Sequence, residues 1–185
     1  MVIQSQYGDP VKIGVMSDSH GNIEYVRQAA EYMMEAEVDG IIHLGDDYHD
    51  ARILDNLPVN VIKVPGVYEA IYQDASVPNR LVEDIAGLKV LITHTKDSHR
   101  NDLPQDKIPE EYIVSKTVDI VLFGHSHSFC AKMEGSALTV NPGHLQTEDK
   151  QGEATLAIID IDNRNIDVKI LNMKEEVKLK KSFQL

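Results

Sequence analysis

Apolar residues crowd positions 11–16, and the segment 11–17 predicts a buried strand. A different rhythm follows. Val26, Ala29, Ala30, Met33 and Met34 recur at helical spacing and predict a helix over 23–38. Short apolar runs at 40–44 and 59–64 predict two more strands, with a short helix at 50–56 between them. Strand, helix, strand, helix, strand in succession implies parallel pairing through crossover helices. After Pro65-Gly66, segments 78–85 and 89–94 read as a hairpin turning on Ala86-Gly87-Leu88. A polar loop at 98–106, a helix at 109–116 and a strand at 118–123 come next. From there the pattern is all β, with strands at 129–133, 137–140, 154–160 and 166–170. Gly135-Ser136 and Asp162-Asn163 supply turns between them. The expected architecture is α/β: two packed β-sheets flanked by helices. No repeat or linker divides the chain, so residues 1–185 read as one domain. It carries a polar extension at 1–10 and a charged tail at 174–185, the latter a solvated strand or helix end.

Composition narrows the partners. The 185 residues are 42 % hydrophobic and carry a net charge of −12, from 18 basic and 30 acidic side chains. Such a surface disfavours nucleic-acid binding, which rests on neutralising phosphates. It still admits a small phosphate ester if bound cations reverse the field locally. No apolar stretch approaches the roughly 20 residues of a membrane span. The first ten residues show no basic segment followed by an apolar one, so no secretory signal is visible. The one cysteine, Cys130, allows no intrachain disulfide and suits a reducing cytoplasm. Oligomeric state is open.

The chemistry lies where the predicted strands end. Val15-Met-Ser-Asp18-Ser-His20-Gly-Asn22 closes the first strand with Asp-x-His. In extended backbone these two side chains share a face. Three later strand ends have the same character: Leu44-Gly45-Asp46, Thr93-His94 and Gly124-His125-Ser126-His127. Ligands of α/β proteins gather outside the carboxyl ends of strands. Four ends that offer only Asp and His make a divalent-metal site with more ligands than one ion needs.

In this order these motifs resemble the calcineurin-like metallophosphoesterases, over roughly residues 11–170. Short length and Asn141-Pro142-Gly143 are similar to the small bacterial and archaeal phosphodiesterase branch. The resemblance implies a four-layer αββα sandwich and two metals bridged by one Asp. By motif, Asp18, His20 and His127 would hold the first ion, His94 and His125 the second, and Asp46 both. Asp46, His94 and His125 would carry catalysis. The implied activity is hydrolysis of small or nucleotide-like phosphate esters by in-line attack of metal-activated water. Mixed oxygen and nitrogen ligands suit manganese first, with iron, zinc, nickel or magnesium as alternatives, one or two ions per chain.

One ligand departs from the family pattern. Where the family has Gly-Asn, this chain reads Pro65-Gly66-Val67-Tyr68-Glu69, and Val67 cannot coordinate. If this segment is extended, Glu69 shares a face with Val67 and supplies a replacement oxygen. No imidazole stands at Tyr68, where other branches place a general acid. The competing reading is therefore a weakened member of the fold that serves as a phosphate-binding, metal-binding or protein-interaction module. A mononuclear hydrolase is a third.

The remaining candidates have plainer readings. His43 lies in an apolar strand and reads as packed. Asp47 points away from Asp46. His49 and His99 sit in polar loops at the surface, and Cys130 in the core. Asn22 reads as the cap of the first helix and, with His144, as a substrate contact. Gly45, Gly66 and Gly124 permit tight turns.

Overall fold

A computed structural model describes residue 3, residues 10–146 and residues 152–185. Strands β1 (Val11–Met16), β2 (Gly40–His43) and β3 (Asn60–Lys63) run parallel, with helix α1 (Ile23–Glu35) crossing between the first two. A 3₁₀ helix, Asp50–Asn56, makes the second crossover. Strands β4 (Arg80–Ile85) and β5 (Leu88–Thr93) form the expected hairpin. Helix α2 (Pro109–Val114), with Pro109 at its start, leads to β6 (Ile120–Leu122), which pairs parallel to β5. Then follow β7 (Cys130–Glu134), β8 (Ala137–Asn141), β9 (Thr155–Asp162), β10 (Asn165–Asn172) and β11 (Val177–Gln184). The first sheet has the order β11-β10-β9-β1-β2-β3, the second β4-β5-β6-β8-β7.

Strand alternation separates the layers. Ile13 and Val15 face the space between the sheets with Ile42, Val90, Ile92, Ile120 and Leu122. Met16 and Ile41 face outward against Val26, Ala29 and Met33 of α1. The helix lies so close that a Cβ on Gly14 would stand 2.4 Å from Met33 Sδ. On the outer face of the second sheet, Leu91 and Val121 pack with Tyr112 and Ile113 of α2. The layers are thus helix, sheet, sheet, helix, as expected.

Both chain ends are more engaged than the charge pattern suggested. Ile3 bridges to Ile85 and is buried, whereas the other calls on 1–9 lie outside the described residues. The tail is not simply solvated. β11 pairs along β10, and Leu179, Phe183 and Leu185 pack on the inter-sheet core. Alternate residues of a charged strand still present one apolar face, which net charge conceals. Among the described residues no helix is long and apolar enough to cross a membrane.

Candidate metal centre

The carboxyl ends of β1, β2, β5 and β6 meet at one edge. Backbone hydrogen bonds tie the turns in two pairs: Asp18 N–H to Gly45 O (2.8 Å) and His20 N–H to Asp46 O (2.9 Å) in one, and Gly124 N–H to His94 O (3.0 Å) in the other. Two groups of ligand atoms result, Asp18 with His20 and His127, and Asp46 with His94 and His125. Within each group the atoms lie within 4.8 Å of one another. Asp46 Oδ2 stands 3.4 Å from His94 Nε2 and 3.9 Å from His20 Nε2, so one carboxylate oxygen lies between the groups.

The Asp18–His20 juxtaposition has a different cause from the one the sequence suggested. The strand ends at Met16, and neither residue is extended. Asp18, His20, Asp46, His125 and His127 all have positive φ, between 44° and 64°. L-residues enter this region rarely, and such strain clusters at functional sites. Sharp turns, rather than strand alternation, aim these side chains inward.

Two glycines are required by closeness. A Cβ on Gly66 would stand 1.5 Å from Asp46 Oδ1, and one on Gly124 2.0 Å from Ser17 Oγ and 2.6 Å from Asp18 Oδ2. Any side chain at either position would displace a candidate ligand.

The donor set fits a cation. Asp18 Oδ2 accepts the His125 N–H (3.0 Å), while the buried Oδ1 has no hydrogen bond and faces His127 Nε2 at 3.3 Å. The His94 Nδ1–H donates to Leu44 O (2.7 Å), which turns the buried Nε2 toward Asp46 Oδ2, 3.4 Å away. Fixing one ring nitrogen so that the other can coordinate is a recurring device of metal-binding histidines. His20 Nε2 and His127 Nε2 approach to 3.1 Å. Two bonds of ~2.1 Å at a tetrahedral angle would put donors about 3.4 Å apart. Burial alone would raise the Asp46 carboxyl, but His94, His20 and His125 hold it below the usual carboxylate range. Burial drives His125 down, and the neighbouring His94 adds to it. Both shifts favour the metal-binding forms, whereas burial is outweighed at His94, whose pKa is raised by the neighbouring Asp46 and Asp18 charges that a bound cation would offset.

Glu69 lies behind the second group. Residues 66–69 are not extended but close a turn, Glu69 N–H to Gly66 O at 3.1 Å. The turn folds the carboxylate back onto backbone donors: Tyr48 N–H (2.7 Å), Asp46 N–H (3.2 Å) and Gly66 N–H. Burial and the Asp46 charge push this carboxyl up, opposed by those amides. Val67 is 1 % exposed and offers no ligand atom. Its carbonyl accepts a hydrogen bond from the Asn101 side chain (2.8 Å).

Asn22 caps α1, accepting from Tyr25 N–H (3.3 Å), and its amide donates to Leu145 O (3.0 Å). It also lines a cavity of about 460 Å³ beside His20. His144, expected as a substrate contact, is 1 % exposed, with its ring 5.2 Å from that of His127. His49 is exposed and Cys130 half-buried.

Sequence reasoning missed two supports. His43 accepts the Gly45 N–H at Nδ1 (3.2 Å) and faces Ser19 Oγ (3.4 Å). Ser19 Oγ in turn donates to Asp46 O (3.2 Å) and accepts the Asp47 N–H (3.1 Å). Burial drives the His43 pKa down to about 4, against the charges of Asp18 and Asp50. The unfolded chain takes this proton near pH 6.5. Stability is therefore full above that value and falls as the pH drops toward 4. At pH 5 the loss is about 2 kcal/mol. Chelator-treated His43→Asn, which keeps an acceptor for Gly45, is expected to lose less stability between pH 7 and pH 5 in thermal melts. Parallel curves for the two proteins would refute the assignment.

The second support holds the polar loop. The buried Arg80 grips both oxygens of Asp102 (2.8 and 2.9 Å), which also accept the Tyr72 O–H (2.6 Å) and the His99 N–H (2.8 Å). His99, read as a surface histidine, stands with its ring 6.1 Å from that of His125 and 5.3 Å from that of Tyr68. Arg80 and Asp102 are 22 residues apart, and no local pattern pairs them.

The comparisons agree with this geometry. A family model, the calcineurin-like phosphoesterase superfamily domain, matches residues 11–164. A phosphodiesterase of Methanocaldococcus jannaschii is 27 % identical over 167 residues, covering 83 % of this chain and 95 % of the relative. A probable metallophosphoesterase of Bacillus subtilis is 28 % identical over 150 residues, covering 80 % and 83 %. Among solved structures, a predicted phosphoesterase of Streptococcus pneumoniae superposes with a TM-score of 0.71 at 25 % identity, covering 96 % of this chain and 99 % of that one. The chain belongs to the calcineurin-like phosphoesterase superfamily.

Proposed function

We propose that this protein is a divalent-metal-dependent phosphodiesterase acting on small phosphate esters. The observation that carries the reading is the Asp46 carboxylate, which belongs with His94 and His125 and also approaches the group of Asp18, His20 and His127. Asp18, His20 and His127 would hold one ion, and His94 and His125 the other, with Asp46 shared. Such ions lower the pKa of bound water and neutralise charge on phosphoryl oxygens. The chain's own part is to hold the ligands. Leu44 O fixes the His94 ring, the His125 N–H orients Asp18, and the Ser19–His43 pair and Glu69 secure the backbone at 45–48.

Loss of the family's Asn at Val67 leaves the second group three ligands. Three protein ligands with an open position are what catalytic metal sites commonly retain, so Val67 does not by itself favour the binding-module reading. Metal identity follows from assay rather than from ligand type.

The test is hydrolysis of bis(nitrophenyl) phosphate and nitrophenyl phosphate after removal of metal with chelator. The stripped protein is expected to be inert. Added manganese should restore turnover, with the diester preferred. A protein that binds manganese in calorimetry yet hydrolyses neither ester with manganese, iron, zinc, nickel or magnesium would be a binding module instead.

A further inference from the structure

We propose that the cavity beside the second ligand group holds the organic ester group of the substrate, and that this group carries a neutral aromatic ring. The inference rests on the phosphodiesterase reading and adds a substrate class to it. The cavity measures about 490 Å³ and is lined by His125 itself, so it opens directly onto the reacting centre. That volume falls in the range of sites that enclose small organic groups.

Its chemistry selects the occupant. Phe123, Phe129 and Cys130, the first residue of β7, supply apolar wall. The charged residues of the lining are two lysines, Lys96 and Lys132, and two carboxylates, Asp97 and Glu134. Glu134 pairs with both lysines, at 2.8 Å each. With Asp97 the lining's two cations face two carboxylates, and lysines held on Glu134 are poorly placed to recruit a second phosphate. A neutral group with aromatic faces fits better, since rings stack on rings and fill apolar wall.

A separate observation agrees. Among the described residues, the exposed phenylalanine and tyrosine side chains are Phe129 and Tyr68, 39 % and 62 % exposed. Both lie here. Phe129 lines the cavity, and the Tyr68 ring is 6.0 Å from that of His125 and 5.3 Å from that of His99. Elsewhere among the described residues, these residue types are half-buried or buried. Two uncovered rings flanking one ligand group mark a surface meant to be covered by something else.

The wall is preformed. His99 lines the cavity, and its N–H is held by Asp102, which Arg80 clamps from a fully buried position. The His99 Nδ1 accepts the Asn101 N–H (3.3 Å), which fixes the ring's orientation. A wall set before binding loses little ordering entropy when the ligand enters.

Calorimetric titration of the manganese-loaded full chain with phenylphosphonate and methylphosphonate tests the proposal without turnover, because neither ester analogue can be hydrolysed. Phenylphosphonate is expected to bind roughly tenfold more tightly, from burial of the ring. Phe129→Ala should cut that preference to within about twofold while leaving methylphosphonate affinity unchanged. Ser128→Trp, at an exposed position on the lining, should do the same by filling the cavity. Equal affinities in the unaltered protein, or a preference that survives both variants, would overturn the subsite and leave the phosphodiesterase reading standing. Failure to bind methylphosphonate or inorganic phosphate at all would overturn both.

Discussion

Asp46→Asn is expected to lower turnover on the order of 10³-fold and to empty both ligand groups of metal. The change preserves shape and removes one negative charge. That charge reaches ring nitrogens of both groups, since Oδ2 lies 3.4 Å from His94 and 3.9 Å from His20. Folding should survive, because the backbone at Asp46 is held by Ser19, His20 and Glu69 through main-chain atoms. The comparison that gives the result meaning is His94→Ala, which removes a ligand from the second group alone. Elemental analysis should then find the first ion retained in His94→Ala and both lost in Asp46→Asn. Equal loss of both ions in the two variants would refute the shared role of Asp46.

How much of this was legible in the chain depends on the distance over which each contact acts. The layers followed from local periodicity: 23–38 repeats at helical spacing, and the runs at 11–16, 40–44 and 118–123 are mostly apolar, each broken by a single polar residue, Lys12, His43 or Asp119. The six candidate ligand residues came from motifs at strand ends, and the structure draws them into two groups. What failed was conformation just beyond the strands. Asp18 and His20 meet through positive-φ turns, and Glu69 turns back instead of running extended. Periodicity is silent there, because turns of this kind are set by tertiary hydrogen bonds. The roles of Gly66 and Gly124 were missed for a related reason. Their clearance concerns Asp46 and Asp18, which lie 20 and 106 positions away in sequence. Arg80 and Asp102, and His43 with Ser19, are likewise long-range pairs whose members read individually as ordinary strand or loop residues.

Glu69→Gln separates the two roles that a carboxylate beside Val67 can play. As a metal ligand, Glu69 would matter only with metal bound. In chelated protein its loss would be neutral, or slightly stabilising, because it removes a negative charge close to Asp46. As a holder of backbone, Glu69 matters with or without metal. Its two oxygens serve the N–H groups of Asp46, Tyr48 and Gly66. A glutamine offers one acceptor and turns an amide group toward the remaining donors. A partly buried N–H left unpaired costs about 1–3 kcal/mol. Chelated Glu69→Gln is therefore expected to lose about 2–4 kcal/mol of stability in urea unfolding. Turnover of the manganese-loaded protein should fall about 10²-fold as Asp46 loses its fixed position. Unchanged stability in chelator, with metal affinity reduced, would make Glu69 a ligand after all. Val67→Asn completes the argument. With Glu69 committed to the backbone, the second group has an open place, and an amide oxygen at 67 should tighten its ion about tenfold. No change in metal requirement in Val67→Asn would mean that position 67, buried as it is, does not face the second group.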